Sequence, residues 1–349
     1  MSHLKLKESY DPHPWKWWHI PLLVILIAGT AYIVLSSKRS ADSWQTDEGL
    51  VFGTSYHIKY NNSKDLSAGI HQTLTDVDQS LSTFNDSSTI SAINTNRSDE
   101  MDDRLMEIVT TSQSISSKTH GAFDITVAPL VNAWGFGFKN AENLDTAQID
   151  SILAFVGMDK IHVDGHKLKK DDSRTMLDCN AIAKGYGVDA VGRYLESEGV
   201  ENYMVEIGGE VRVRGKNDKQ SLWRIGINEP VDDSLSVSKD LENIIEVENI
   251  AMATSGNYRN FYIKDNKKYA HTIDPETGYP IQHNILSSTV LASDFMTADA
   301  YATAFMVCGL DSARAILSRT PSLNGYFIYS KPDGSHGVWH SPGLKLNHQ

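Results

Sequence analysis

The chain has 349 residues, 40% hydrophobic and 22% charged, with 32 Lys or Arg against 44 Asp or Glu. That is globular composition, with room for one large domain or two smaller ones. Without residues 1–44, which hold five basic and three acidic side chains, 27 basic and 41 acidic residues remain, net −14; such a surface argues against nucleic acid, whose phosphates demand clustered Lys and Arg.

From Trp17 to Ser37 there is no Lys, Arg, Asp or Glu, and "IPLLVILIAGTAYIVLS" is apolar through Leu35. A run of roughly 17–20 apolar residues is long enough to cross a bilayer as a helix. Trp15, Trp17, Trp18 and Tyr32 sit near its ends, where amphipathic rings favour the membrane interface. A cleaved signal peptide is the rival reading, but the run is long for one and no small-x-small site closes it. The expectation is therefore a tail over 1–19, an uncleaved signal anchor over 20–36, a polar linker over 37–48 and a folded domain over 49–345. A short tail followed by a long domain favours tail-in, domain-out: a single pass through the inner membrane with the domain on the periplasmic or extracytoplasmic side. Cys179 and Cys308 are the two cysteines, too few for a disulfide framework.

Along the domain, alternating Tyr56, Ile58 and Tyr60 predict a strand. Ile70, Leu74, Val77 and Leu81 lie at helical spacing within 65–82, and a loop "STFNDSSTISAIN" leads to a second helix over 102–118. Residues 121–138, rich in Gly, Pro and aromatics, read as irregular. A helix over 145–157 and a hairpin turning at Asp164-Gly165 follow. "AIAKGYGVDAVGRYLESEG" reads as a helix with Gly199 at its end. "NYMVEIGGEVRVRG" and "LWRIGINEP" read as strands, and "NIIEVENIAMATSG" as one more. "ILSSTVLAS" is a strand, Asp294–Val307 and 311–319 are helices, and "NGYFIYS" and "GVWHSP" close the chain as strands. Helices and strands mix without strict βαβ alternation, so the expected class is α+β.

Three stretches hold candidate chemistry. In "SDFMTADAYATAFMVCG", Ser293 or Asp294 can cap the helix, and Asp299 and Thr303, four apart, share one face. A carboxylate beside a hydroxyl is a hard-oxygen pair suited to Mg²⁺, which takes few protein ligands; an exposed polar stripe would have the same spacing. "LDCNAIAKGYGVD" runs Asp178 through a turn into a helix carrying Lys184, a place where helix amides attract anions. Neither it nor "EIGGEVRVRG" is a phosphate-loop signature. "HTIDPETGYP", His271 to Pro280, is ordinary turn chemistry by itself.

Taken in order, "GTSY", "STFNDSSTISAIN", "GAFDITVAPLVNAWGFG", "LDCNAIAKGYGVDAV", "VEIGGEVRVRG", "WRIGINEP", "ATSGNYRNFY", "HTIDPETGYPI" and "ADAYATAFMV" closely resemble the ApbE family of FAD:protein FMN transferases. The resemblance implies an α+β enzyme with a core related to the tunnelling folds (T-folds), a smaller companion domain, and FAD in the cleft between them. By matched position it implies cofactor contacts at Phe84, Ala122, Phe123, Asp124, Asp178, Lys184 and Ile273. It implies magnesium ligands at Asp299, Thr303 and a backbone oxygen at Ala181, and a catalytic role for His271. The chain departs from the family in lacking a lipobox cysteine, and in having "DCNA" where a Gly-containing turn is commoner.

The implied reaction is Mg²⁺-dependent transfer of FMN from FAD to a Ser or Thr hydroxyl of a target protein, releasing AMP. The family's acceptor motif, D-x-x-[ST]-G-A-[ST], is absent here, because "DPETGYP" stops short of it; self-flavinylation is not expected. Two alternatives share these residues: a Mg²⁺-dependent FAD pyrophosphatase, with water as acceptor, and a membrane-anchored protein that only holds the flavin.

Overall fold

The computed structural model describes residues 19–41, 43–137, 144–228, 241–256, 261–264, 267–282 and 284–347. Trp15, Trp17, Trp18, Phe138 and the segments 229–230 and 257–260 of the quoted motifs lie outside the described residues.

The helix α1 (His19–Ala41) leads into β1 (Trp44–Val51), β2 (Thr54–Asn61), α2 (Ser67–Leu81), α3 (Thr89–Asn94), α4 (Asp103–Lys118), α5 (Ala128–Ala133) and α6 (Thr146–Leu153). The hairpin β3 (Ile161–Asp164) and β4 (Lys167–Lys170) precedes α7 (Asn180–Ser197), β5 (Tyr203–Ile207), β6 (Glu210–Arg214), β7 (Trp223–Asn228), β8 (Leu241–Val247) and β9 (Ile250–Gly256). β10 (Phe261–Lys264), β11 (Lys267–Ala270), β12 (Ile285–Ala292), α8 (Phe295–Arg319), β13 (Asn324–Ser330), β14 (His336–His340) and β15 (Leu346–Asn347) complete the order.

The frame is an antiparallel sheet of eight strands, ordered β1-β2-β5-β6-β9-β12-β13-β14, with a second sheet ordered β15-β8-β7. Alternation decides which face each residue serves. Tyr56, Ile58, Tyr60, Val205, Ile207, Ala253 and Val290 face α2, α4, α7 and α8 in the larger core. Val211, Val213, Met252 and Ile328 face the other way, against Trp223, Ile225 and Ile245 of the small sheet. The α+β class is thus a three-layer stack of helices, large sheet and small sheet.

Several expected boundaries shift, each for a local reason. The predicted linker ends too late: β1 begins at Trp44 and pairs residue by residue with β2. Its sequence has no apolar alternation; the strand is fixed by that pairing and by buried Asp47, which accepts from the Tyr56 hydroxyl at 3.3 Å. The stretch read as a loop contains α3, whose cap Ser88 accepts from Ser91 N–H. The "irregular" 121–138 contains α5, with Pro129 in its first turn. "NIIEVENIAMATSG" is two strands in different sheets, β8 and β9. Asn249 makes the crossing in the left-handed region, φ 53°, and its Oδ1 accepts from Gly215 N–H at 3.0 Å. Asp178 lies outside any strand, between the isolated bridge at Met176 and the start of α7. The separation of 294–307 from 311–319 is borne out inside α8, where Gly309 interrupts the helix at φ 78°, ψ 170°.

In α1 the described side chains Ile20, Leu23, Val24, Ile25, Leu26, Ile27 and Tyr32 are exposed. Among the described residues no helix is long and apolar enough to cross a membrane.

Candidate active site

Two helices make the floor of the cleft. Asp294 caps α8, its carboxylate accepting from Thr297 N–H at 2.9 Å. The small residues Ala298, Ala300, Ala302 and Ala304 are fully buried, so α8 lies close against α7 and the sheet. Gly185 of α7 is required for that approach, because a Cβ there would stand 2.9 Å from Phe295 Cδ1 and 3.0 Å from Asp299 Cβ. The first turn of α8 is tied down by buried Asp189, whose carboxylate accepts from the Phe295 and Met296 amides and pairs with Arg212.

One turn further, Asp299 is 4% exposed, and its Oδ2 accepts from Gly185 N–H at 3.1 Å. Asp299 thus reaches the start of α7, and Ala181, one turn before Gly185, lines the same cavity. Burial pushes the Asp299 carboxyl up to about 7, Lys184 opposing the shift and Glu210 adding to it. Lys184 and Glu210 form an ion pair at the cleft surface, with Glu210 almost wholly buried. Thr303 Oγ1 lies 3.1 Å from Ser255 Oγ on β9.

A second wall comes from 121–136. Asp124 folds that loop onto itself, accepting from Thr126 N–H and Oγ1–H at 2.6 Å each and from Met158 N–H at 3.1 Å. Burial raises its carboxyl to about 6 against those donors. Asp178 accepts from Asn180 N–H at 2.8 Å, and its own N–H donates to Ile125 carbonyl at 2.6 Å, joining this wall to the start of α7. Burial raises the Asp178 carboxyl as well.

The third wall is the decapeptide His271–Pro280, which proves to be a turn and a wall at once. Asp274 N–H donates to Tyr279 carbonyl at 2.9 Å and Gly278 N–H to Asp274 carbonyl at 2.8 Å. The Asp274 carboxylate accepts from Glu276 N–H and from the Thr277 hydroxyl, both at 2.9 Å. Gly278 sits at φ 75°, and its carbonyl accepts from Trp134 Nε1–H at 2.8 Å. Ile273, 5% exposed, packs with Leu130, Trp134 and Ile149. A rigid turn thus carries His271 at its mouth, edge-on to Phe136 with ring centroids 6.5 Å apart.

These walls enclose one cavity of about 530 Å³. Every residue singled out from the sequence lines it: Phe84, Ala122, Phe123, Asp124, Asp178, Ala181, Lys184, His271, Ile273, Asp299 and Thr303. Phe84 is the outlier in burial, 74% exposed at the rim. The volume lies in the range of small-molecule sites. Apolar side chains from 123–136 and the decapeptide face a floor of Lys, carboxylates and hydroxyls, a division that suits a ligand with one aromatic and one anionic end.

Sequence reasoning missed Glu210, Ser255 and Asn180, which also line the cavity. "EIGGE" held a signal for the first. Gly208-Gly209 is a two-residue hairpin turn with positive φ at both positions, and it delivers the next residue, Glu210, to the sheet end beside α7.

The donor set fits a hard divalent cation. Among the described residues no group of three or more His, Cys, Asp or Glu is placed to hold a metal. Mg²⁺ asks for less, one or two carboxylates with the rest from neutral oxygens, water and phosphate. Asp299, Thr303 and Ala181 all line the cavity and can each offer an oxygen, the first two from one face of α8 and the third from the main chain of α7.

Fold and cleft define an antiparallel α+β protein with an amphipathic cavity between helix layer, sheet end and a braced turn. The chain belongs to the ApbE family, whose model matches residues 52–327. It is 39% identical over 279 residues to the FAD:protein FMN transferase of Vibrio cholerae, covering 77% of this chain and 82% of that one. It is 36% identical to the Haemophilus influenzae protein of the same name, over 88% and 94%. The solved flavin transferase ApbE from Vibrio cholerae superposes with a TM-score of 0.76 at 36% identity, covering 86% and 97%.

Proposed function

We propose that this chain transfers the FMN part of FAD to a Ser or Thr hydroxyl of a target protein, releasing AMP. The observation that carries the reading is the convergence of all eleven sequence-selected residues on one cavity with an apolar wall and a charged, hydroxyl-rich floor. The names of its relatives support the same chemistry.

In this reading the isoalloxazine ring lies against Phe123, Ile273 and the rim residue Phe84, and the pyrophosphate lies over the start of α7, where helix amides and Lys184 meet its charge. Asp124 and Asp178 fix the walls around the ring. The acceptor oxygen attacks the FMN-side phosphorus; a new P–O bond forms, the bridging P–O bond breaks, and AMP leaves with that electron pair. His271 takes the hydroxyl proton, a task suited to the one side chain that ordinarily titrates near neutrality. Asp299, Thr303 and the Ala181 carbonyl would hold Mg²⁺, which when bound neutralises charge on the pyrophosphate oxygens. The target segment is expected to carry D-x-x-[ST]-G-A-[ST].

We further propose that the charge-free run over 20–36, with the exposed apolar side chains of α1, attaches the domain to the inner membrane, and that the short tail before a long domain leaves that domain on the extracytoplasmic side. Protease protection in intact and opened spheroplasts tests that placement: the domain should be cut from outside, and protection until the inner membrane is broken would refute it.

The activity is tested by incubating the full chain with FAD, Mg²⁺ and a protein carrying D-x-x-T-G-A-T. AMP release matched by flavin fluorescence on the denatured acceptor is expected. AMP and FMN without labelling would identify a pyrophosphatase instead, and FAD bound but intact would leave a flavin-holding protein.

A further inference from the structure

We propose that Glu210 is a positioning residue for the cation site: it holds the Lys184 ammonium away from Asp299 and so keeps that carboxylate open to a metal ion. This rests on the reading of Asp299, with Thr303 and the Ala181 carbonyl, as a Mg²⁺ ligand.

The sheet fixes where Glu210 points. Val211 and Val213 of β6 pack against the small sheet, so by alternation Glu210 and Arg212 face the helix layer. Both reach α7, with opposite polarity: Arg212 pairs with Asp189, and Glu210 with Lys184. The main chain of Glu210 is anchored opposite Ile207 in the β5–β6 register, straight after the Gly208-Gly209 turn. Its side chain is 6% exposed, against 34% for Lys184. The buried member of the pair therefore sets where the long, flexible one lies.

A second anion stands within reach of the same lysine. Asp299 Oδ2 accepts from the main-chain N–H of Gly185, the residue next to Lys184, at 3.1 Å, well inside the span of a lysine stem. Asp299 is buried, and a buried carboxylate without a counter-charge is costly. The charge of Lys184 is already felt there, opposing the upward shift of the carboxyl. Yet among the described residues the ion pair of Lys184 is with Glu210 and not with Asp299. With the Glu210 charge removed, Asp299 is the carboxylate whose field still draws the ammonium. An ammonium bonded there must be displaced before Asp299 can take a divalent ion.

Mn²⁺ is the probe, its affinity read from the free-ion paramagnetic resonance signal on the full chain, with melting temperature recorded to establish folding. Glu210→Gln should weaken Mn²⁺ binding about tenfold or more, the loss typical when a group that holds a metal site from behind is removed. Lys184→Met added to Glu210→Gln should return the affinity to within about twofold of wild type, because the competitor is gone. A double variant as weak as Glu210→Gln would overturn the proposal by making Glu210 a ligand of the ion, and so would wild-type affinity in Glu210→Gln. The crystal structure of metal-free Glu210→Gln separates displacement from a mere change of charge. Lys184 Nζ within hydrogen-bond distance of the Asp299 carboxylate is expected; an ammonium left in its wild-type place, or turned to solvent, would overturn the proposal. Glu210→Met, apolar and of similar volume, replaces Glu210→Gln if the amide variant does not melt cooperatively. Asp299→Asn tests the level beneath: Mn²⁺ bound as tightly as by wild type would refute the cation site itself and the proposal with it. A loss there beside wild-type affinity in Glu210→Gln would refute the proposal alone.

Discussion

Gly278→Ala probes whether the decapeptide holds His271 by rigidity. At φ 75° the backbone occupies a region that L-residues avoid, and the new Cβ would stand 2.5 Å from Ile149 Cγ2. The left-handed conformation costs a non-glycine residue about 1–2 kcal/mol, and forcing a methyl into a packed site costs typically 1–3 kcal/mol. The two add to roughly 2–5 kcal/mol if the turn stays in place, or the turn shifts and relieves part of it. A shift would move the Gly278 carbonyl off Trp134 Nε1–H and slide Ile273 out of its cluster with Leu130 and Ile149. His271 would then leave its place by the order of an ångström, enough to cost about a hundredfold in rate. Calorimetric melting with a transfer assay decides the matter: a drop of about 4–8 °C is expected for a domain this large, with kcat falling more than FAD affinity. Wild-type melting and wild-type kcat together would refute the argument that this turn is rigid and that its rigidity matters.

Other outcomes follow from the same cleft. His271→Ala should abolish transfer while sparing FAD binding by fluorescence titration; an unchanged transfer rate would remove it as the base. Lys184→Met removes the cation that pairs with buried Glu210 and opposes the shift of Asp299, so stability should fall by about 3–5 kcal/mol in urea unfolding, and Lys184→Met with Glu210→Gln together should recover much of that. Asp124 titrates near 6 when folded and near 3.8 when unfolded. The folded state therefore holds the extra proton between those values, and the Asp124 contribution to stability declines as pH rises from about 4 to 6, then levels. Asp124→Asn, neutral throughout, should gain on wild type by about 3 kcal/mol across that window; parallel stability–pH curves would contradict the burial of the carboxyl.

What the sequence disclosed and withheld follows from range. The floor of the cleft was legible because helical spacing fixes Asp299 and Thr303 on one face of α8 without reference to the rest of the chain, and small residues beside them announced close packing. The decapeptide was legible as a turn, since Pro275 and Gly278 act locally, yet its docking on Trp134 and Ile149 depends on contacts more than a hundred residues away. The β1 strand escaped notice for the same reason, being a product of pairing with β2 and not of its own pattern. Glu210 was missed because its meaning lies in Lys184, 26 residues earlier and on another element. Ser255 looks like any strand serine until α8 brings Thr303 within 3.1 Å of it at the cavity. Residues whose role is set by a neighbour in space are invisible to spacing rules.

The most direct test of the central claim is the intact mass of an acceptor protein bearing D-x-x-T-G-A-T after incubation with the full chain, FAD and Mg²⁺, alongside Asp299→Asn. A mass increase of one FMN residue on the motif threonine, absent with chelator and absent with the variant, is the predicted result. An acceptor that stays unmodified while AMP accumulates, or one that is modified equally by Asp299→Asn, would contradict the account.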